Sequence, residues 1–579
     1  MYSLEKIKIE IAGEINRMIG KDLVQASDLV YPPDAGMGDL SLPCFNPARE
    51  LKKSPVETAK KLGSEFPKID SVATVSVAGP YLNFKLDKIY FSKIIVTEIN
   101  KLKDKYGNND TGKGRRVMIE YSNANTHKEY HIGHLRNLCF GDAVQRILAA
   151  NGYKSLPVSY INDFGIHAAK TIWWTFHPDN KYAKAVLADL EPEKRGAFLG
   201  EMYAASCQRE KEDKLAKQMI ELVMKKIESR QGEEYELWKK TREWTIEQFD
   251  RIYKELGIKF VHIFYESEYI DQGRAEVNAM IKSGLLSVSQ GAVIADLEKY
   301  KLGVLMFLRS DGTALYPVAD LALARTKVNN YDLDRSVYVT DTRQSLHFKQ
   351  LFKVLELSGL KAEMINLGYE FVKLPGGMMS SRSGNVITYE DLRGELMKKA
   401  IRETGQRHDD WSAVKIETVA AAITMGALKF EMIKVGADQV ITYDIDKALK
   451  FEGFTAAYLQ YAYARIRSII RKANDDSAEP SVNTGNDKAD TENDKEHELI
   501  MTLSKYTEAV KMAGEEYDPS EIAKYLFGLA QIFNDYYHAV PVLKTDKATR
   551  KARLKLCEAV SSVIKNGLGL LGIGVVEEM

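Results

Sequence analysis

Leu4, Ile7, Ile11, Ile15 and Ile19 recur at the three- and four-residue spacing that puts side chains on one side of a helix, so residues 4–24 are predicted helical. After the turn-rich segment Tyr31-Pro-Pro-Asp-Ala-Gly-Met-Gly-Asp-Leu40, a second helical pattern starts at Pro55. Residues 73–86 change to the short β-rich runs Ala-Thr-Val-Ser-Val and Tyr-Leu-Asn-Phe-Lys-Leu, which read as strands. Together these elements predict a small α+β module ending near residue 88. A helix and the Gly-rich stretch 106–114 lead to the strand-like Val117–Tyr121. A helix over 133–150 follows, with Leu135, Leu138, Ala143, Ile147 and Leu148 on its apolar side, and then the strand-like Ser155–Ile161. Strand, helix and strand of this length form a right-handed βαβ unit, which takes ligands beyond the carboxyl end of its first strand.

Downstream, residues 180–260 are charged and helix-rich, as an inserted helical subdomain would be. The short apolar runs Ala292–Leu297, Val304–Leu308 and Ser336–Thr340 read as the resumption of the parallel sheet. From about residue 385 the periodicity is almost wholly helical, clearest in Ala456–Arg471 and Glu521–Leu543. Residues 474–498 are polar and acid-rich, which predicts a solvated loop or disordered insertion.

A chain of 579 residues exceeds what one hydrophobic core supports, so several domains are expected. Its 81 basic and 81 acidic side chains cancel, so a nucleic acid or membrane partner would have to be met by local patches. Cys44, Cys139, Cys207 and Cys557 are scattered without CxxC spacing, which argues against a disulfide framework and a cysteine zinc site and suits a reducing compartment. The first residues alternate charged and apolar side chains rather than forming the apolar core of a signal peptide, and no later run approaches membrane-spanning length. A cytoplasmic location is expected.

The chemistry concentrates where the first strand of the βαβ unit runs through a polar loop into His131-Ile-Gly-His134. A helix start leaves backbone N–H groups unpaired, Gly133 allows close approach, and two histidines can donate to phosphate oxygens, so the junction suits a nucleotide. Lys128, three residues upstream, can bring an ammonium to the same phosphates. A zinc site from His127, His131 and His134 is the weaker reading, since no cysteine completes it and His127 precedes the helix. A second loop, Leu374-Pro-Gly-Gly-Met-Met-Ser-Ser-Arg-Ser-Gly-Asn385, has the glycines, hydroxyls and single cation of a phosphate clamp. Taken alone, the first motif could be an ordinary helix start and the second an ordinary surface turn.

The order of these two loops ahead of a helical tail resembles the class I aminoacyl-tRNA synthetases, and within them the arginyl-tRNA synthetases. Also matching are Gly38-Asp-Leu-Ser-Leu-Pro43, Asn46-Pro47, Leu315-Tyr-Pro-Val-Ala-Asp320, Asp341-Thr-Arg-Gln-Ser-Leu-His-Phe348 and Tyr458-Leu-Gln-Tyr-Ala-Tyr-Ala-Arg465. The resemblance implies a multidomain α/β protein. It would comprise an N-terminal α+β module (1–105) touching tRNA, a Rossmann-like parallel-sheet catalytic domain (106–390), a helical connector (391–450) and an all-α anticodon-binding bundle (451–579). It implies activation of L-arginine with ATP and magnesium, then transfer to tRNA(Arg), by a cytoplasmic monomer with no tightly bound cofactor or metal.

By the same resemblance, Lys128, His131, His134 and Arg382 are catalytic, and Gly133, Met379, Ser380 and Ser381 join them around ATP. Glu120, Asn123, Ala124, Asn125, His134, Tyr316, Asp320 and Gln344 hold arginine. Tyr316 and Asp320, one helical turn apart, share a face, and a guanidinium rewards paired carboxylates. The family's clamp lysine is Met378 here and its later basic position is Ser381. Arginyl enzymes lacking that lysine carry a substitute just before the histidine motif, which gives Lys128 the charge-neutralising role, with Arg382 as helper. The tail offers Tyr458, Tyr461, Tyr463, Arg465 and Arg467, then Lys544, Lys547, Arg550, Lys551, Arg553 and Lys555, as an RNA surface, although an aromatic stripe at helical spacing is more often core. Of these, Tyr458, Tyr461 and Arg465 are the expected tRNA contacts. Three rival readings remain at this stage: a cysteinyl-type enzyme, disfavoured by the missing zinc spacing; a non-catalytic paralogue that binds tRNA or protein partners, kept open by Met378; and, weaker, a scaffolding role with residues 474–498 as the attachment point.

Overall fold

The computed structural model describes residues 1–375, 387–474 and 494–579. At its centre is a parallel sheet whose strands lie in the order Glu363–Tyr369, Arg335–Asp341, Arg116–Glu120, Lys154–Ile161, His262–Tyr265. The chain builds outward on one side of Arg116–Glu120 and then returns to its other side with Arg335–Asp341. The switch in strand order therefore falls beside Glu120, where an open α/β sheet leaves its ligand crevice. Helix Ile132–Ala150 forms the first crossover, and its buried residues lie on nearly every side because the sheet packs on one flank and helix Ala413–Ile433 on another.

The expected resumption of the parallel sheet holds for Arg335–Asp341 only. Ala292–Asp296 and Val304–Leu308 instead form a separate antiparallel sheet with Ser287–Ser289. Their connections decide this, since a parallel neighbour needs a long crossover. The turn joining Ser289 to Ala292 is Gln290-Gly291, with φ of 51° and 82°, the left-handed pair that closes a tight hairpin. The edge strand His262–Tyr265 was not anticipated; it is short and directly follows the charged helices of the insertion.

Those helices, Lys181–Val186, Arg195–Glu212, Ala216–Glu228 and Gly232–Glu255, match the expected helix-rich segment. At the N-terminus, helix Ser3–Ile19 carries the whole apolar spacing but stops short of the predicted residue 24. Gly20 adopts φ 78° and returns its N–H to the Asn16 carbonyl, and the Asn16 Oδ1 accepts from Leu23 and Val24. Helix Pro55–Glu65 packs on the antiparallel sheet Leu40–Pro43, Tyr81–Leu86, Val72–Ala78, and helix Lys88–Leu102 packs on helices Ser3–Ile19, Asp494–Ser504 and Lys547–Leu570.

The tail consists mainly of helices, including Ala456–Asn474, Asp494–Ser504, Tyr506–Glu516, Pro519–Ala539 and Lys547–Leu570. Of the stretch expected to be a solvated insertion, 475–493 lies outside the described residues. Residues 494–498 correct the expectation, for they open a helix tied into the fold. Glu496 accepts from the buried Arg553 at 2.6 Å, and His497 Nε2 meets Asp39 Oδ1 at 2.7 Å. The apolar Leu499, Ile500 and Leu503 draw this first turn onto the core. Residues of the N-terminal module join the tail in the same way: Lys8 and Tyr31 both bond Glu508 at 2.7 Å. No helix among the described residues is long and apolar enough to cross a membrane.

Candidate active site

His131 is the N-cap of helix Ile132–Ala150. Its Nδ1 accepts the Gly133 N–H at 3.1 Å, while His134 Nδ1 accepts the His131 N–H at 3.3 Å, a capping box built from two imidazoles. The rings stack with centroids 3.8 Å apart. A β-carbon on Gly133 would sit 3.0 Å from the His131 ring, so a larger residue here would press the ring out of its capping position by a few tenths of an ångström. Because each Nδ1 accepts, each neutral ring carries its proton on Nε2 and offers a donor away from the helix. Burial, reinforced by the Lys128 ammonium, lowers the His131 pKa to about 4. Burial, then the neighbouring His131 and Lys128 charges, pulls His134 well below its ordinary value.

This geometry corrects one expectation. The first backbone donors of the helix are already used: Ile132 N–H reaches the Ile387 carbonyl at 3.3 Å, Gly133 the His131 ring, and His134 the His131 carbonyl at 2.9 Å. The donors left for a ligand at this helix start are therefore imidazole N–H groups, which are neutral. Positive charge comes from Lys128, whose ammonium lies 4.7 Å over the Tyr203 ring of helix Arg195–Glu212. His127 faces elsewhere. With φ 59° and a buried ring, it bonds Thr126 and Thr241 hydroxyls, each at 2.8 Å. Both its nitrogens are thus occupied, and among the described residues no group of three or more His, Cys, Asp or Glu is placed to hold a metal.

Tyr316 and Asp320 occupy the first turns of helix Tyr316–Tyr331. Asp320 Oδ2 meets His347 Nε2 at 2.9 Å, and Gln344 is exposed one turn ahead of His347, at the start of helix Ser345–Leu357. Tyr316 is open to solvent, with its phenol in the field of Glu266 and Asp320. Glu266 was missed by the sequence reading. It directly follows the edge strand, is 4% exposed, and accepts from Asn162 Nδ2 at 3.2 Å. Burial, together with the Asp320 and Asp163 carboxylates, holds its pKa well above the usual carboxylate range. Asp163 has its own cation, Arg242, at 2.5 Å. The buried Tyr160 hydroxyl, near Glu266 and Asp320, has no hydrogen-bond partner among the described residues. Recognising His262–Tyr265 as a strand would have exposed both residues, since Glu266 directly follows its carboxyl end and Tyr160 pairs with Phe264.

Glu120, the last residue of the central strand, is 2% exposed. Its Oε2 binds the fully buried Lys327 ammonium and its Oε1 accepts from Asn123 Nδ2 at 3.2 Å. Beyond it the loop is rigidly tied. Ser122 adopts φ 59°, Ala124 accepts the Asn162 N–H at 3.0 Å, and Asn125 bridges to Asn162. Met379, Ser380, Ser381 and Arg382 lie outside the described residues. The strand leading toward them is anchored to the histidine helix by Arg136, buried to 1%, which donates to the carbonyls of Glu370, Gln439 at 2.9 Å, and Gly436 and Ala437 at 3.3 Å.

In the tail, Arg465 donates to Asn534 at 3.0 Å and to the Tyr461 hydroxyl at 3.1 Å, and Asn534 donates to the Tyr458 hydroxyl at 2.8 Å. Those three residues form one partly exposed cluster. Tyr463 and Arg467 are instead spent on Glu577, at 3.0 and 2.7 Å, and Arg553 on Glu496, so they belong to the fold rather than to an open surface.

Residues 95–443 match the family model described as tRNA synthetases class I (R), catalytic domain. Residues 459–579 match a DALR anticodon binding domain and 5–86 an arginyl tRNA synthetase N terminal domain. The chain is 36% identical over 566 residues to the arginine-tRNA ligase of Bdellovibrio bacteriovorus, covering 95% of this chain and 94% of that one. It is 33% identical over 578 residues to that of Clostridium acetobutylicum, covering 98% and 99%. The fold is similar to Thermus thermophilus arginyl-tRNA synthetase, with a TM-score of 0.77, 25% identity and full coverage of both chains. Since the catalytic model spans more than half of the sequence and relatives above 30% identity cover nearly all of it, the chain belongs to the class I arginyl-tRNA synthetases.

Proposed function

We propose how the residues above divide the work of an arginine-tRNA ligase, which activates arginine with ATP and charges tRNA. The observation that carries the assignment is a neutral imidazole pair beside a lysine at the same sheet edge as two carboxylates, the buried Glu266 and the partly buried Asp320. In the first step the arginine carboxylate attacks the α-phosphate in line, an O–P bond forms, and pyrophosphate leaves. Positioning and charge stabilisation, rather than an acid–base pair, accelerate such a step. His131 and His134 donate through Nε2 to the triphosphate, Lys128 neutralises the departing pyrophosphate, and ATP arrives with magnesium. Met379, Ser380, Ser381 and Arg382 are assigned to the same phosphates from the motif alone. Asp320, Glu266 and Tyr316 take the guanidinium, with Gln344 at the mouth, while Asn123, Ala124, Asn125 and His134 hold the amino-acid backbone; Glu120, expected in the same pocket, has its two oxygens engaged by Lys327 and Asn123 and supports the pocket from beneath. In the second step a 3′-terminal ribose hydroxyl of tRNA(Arg) attacks the activated carbonyl and AMP leaves.

The division into segments 1–105, 106–390, 391–450 and 451–579, action as a monomer and a cytoplasmic location belong to this reading. Charging total tRNA with each of the twenty amino acids tests it: arginine alone is expected to be attached. Attachment of another amino acid overturns the pocket, and no attachment at all favours the non-catalytic paralogue.

The tail's part is tested separately. Arg465→Ala removes the cation that ties Tyr461 to Asn534, and is expected to raise KM for tRNA about tenfold, in line with loss of a phosphate or base contact, while Kd for arginine and for ATP stays unchanged. An unchanged KM for tRNA removes Arg465 from the tRNA surface.

A further inference from the structure

Asn123 presents an unusual arrangement beside the proposed amino-acid site. Its Oδ1 is buried and has no hydrogen-bond partner among the described residues. Its Nδ2 donates to Glu120 Oε1 at 3.2 Å. An ionised carboxylate can only accept, so this bond fixes which end of the amide turns away from Glu120, and that end is the oxygen. A buried acceptor left open in this way is complementary to a ligand that brings a donor.

What keeps Glu120 an acceptor is Lys327. The carboxylate sits at the carboxyl end of the central strand, 2% exposed, and its other oxygen binds an ammonium that is itself fully buried between the Tyr338 and Phe264 rings, 4.8 and 5.5 Å from their centroids. Burial by itself pulls the Lys327 pKa well below its ordinary value, and direct contact with the Glu120 carboxylate opposes this, so each partner keeps the other charged. Without the cation, burial favours the neutral form of the carboxyl. A protonated Oε1 would donate to Asn123 Oδ1 and consume the open acceptor, or turn the amide so that it shows N–H groups instead. Lys327 lies on helix Tyr316–Tyr331, two turns beyond Asp320. One helix thus addresses both ends of an arginine, with Asp320 at the guanidinium and Lys327 beneath the other end.

We propose that Lys327 is a positioning residue that acts through Glu120 to hold the Asn123 amide oxygen toward the α-ammonium of the amino acid. The inference rests on the reading that Asn123–Asn125 hold the amino-acid backbone. It assigns Lys327 to recognition of the α-amino group rather than to the guanidinium or to ATP.

The test compares binding of L-arginine and of 5-guanidinopentanoic acid, the same molecule without its α-amino group, to the full chain by calorimetry. The wild type is expected to prefer arginine on the order of 10- to 100-fold, the range of a hydrogen bond to a charged group. Lys327→Met is expected to lose most of that preference at neutral pH and to regain it as pH rises and Glu120 ionises, with affinity for the des-amino analogue and for ATP little changed. Lys327→Gln, which keeps a donor without the charge, carries the same test if the methionine variant does not fold. A wild type that does not distinguish the two ligands overturns the placement of the backbone at Asn123–Asn125. A wild type that does distinguish them, with a variant that weakens both equally or neither, overturns the role of Lys327 and leaves that placement standing.

Discussion

Lys128→Ala is expected to lower the rate of arginine activation by about two to three decades, the usual cost of removing one oriented charge-stabilising group. The size follows from the histidines being neutral. Burial keeps His131 and His134 unprotonated, so they supply hydrogen bonds but no net charge to a leaving pyrophosphate. The family's clamp lysine is replaced by Met378. Lys128 is therefore the cation that the described site offers to the phosphates, fixed over Tyr203 rather than free on a long tether. The loss should appear in kcat of ATP–pyrophosphate exchange, measured with tRNA present, more than in Kd for ATP, because the charge it answers develops as the bond breaks. A second signature follows from the same field. Lys128 helps depress both imidazole pKa values, so in the variant they rise and the acid limb of the pH–rate profile moves to higher pH. Full activity in Lys128→Ala would return the phosphate role to Ser380–Arg382.

The central βαβ unit was legible because periodicity switches sharply there, from the apolar run at Val117 to the four-residue spacing after His134, and glycine-rich turns mark its ends. The antiparallel sheet at 287–308 was not legible as such. Apolar alternation identifies a strand but not its partner, and only the left-handed turn at Gln290-Gly291 distinguishes a hairpin from a return to the parallel sheet. Motif resemblance brought Tyr316 and Asp320 to one helix face, but it marked neither Glu266, far away in sequence, nor Lys327, two turns further along the same helix. Each is a single charged residue in an ordinary polar or helical context, and only their burial marks them as unusual. The histidine motif opens a helix as its spacing predicts, but that the imidazoles cap this helix and use up its backbone donors depends on rotamers that the sequence does not display.

Recognition of arginine should be the step most sensitive to the two carboxylates. Asp320→Asn is expected to weaken arginine binding on the order of 100-fold, because Asp320 is only partly exposed and a bound guanidinium would cover it, and losing one charge of such a desolvated pair costs about 2–5 kcal/mol. Glu266 adds a pH dependence whose sign is fixed by its surroundings. In the free site, burial and the neighbouring carboxylates favour the protonated form. A bound guanidinium favours the ionised form, so arginine binding expels a proton and tightens as pH rises, by at most about one decade per pH unit, until pH exceeds the raised Glu266 pKa. Below the ordinary carboxylate range the bound complex is itself protonated and the dependence vanishes. Glu266→Gln removes the titrating group and should flatten the profile, leaving a weak, pH-independent affinity across the same interval. Calorimetry in buffers of different ionisation enthalpy reads the proton directly: release in the wild type and none in Glu266→Gln places the guanidinium against Glu266, whereas equal release in both proteins assigns the proton to another group and removes Glu266 from the pocket.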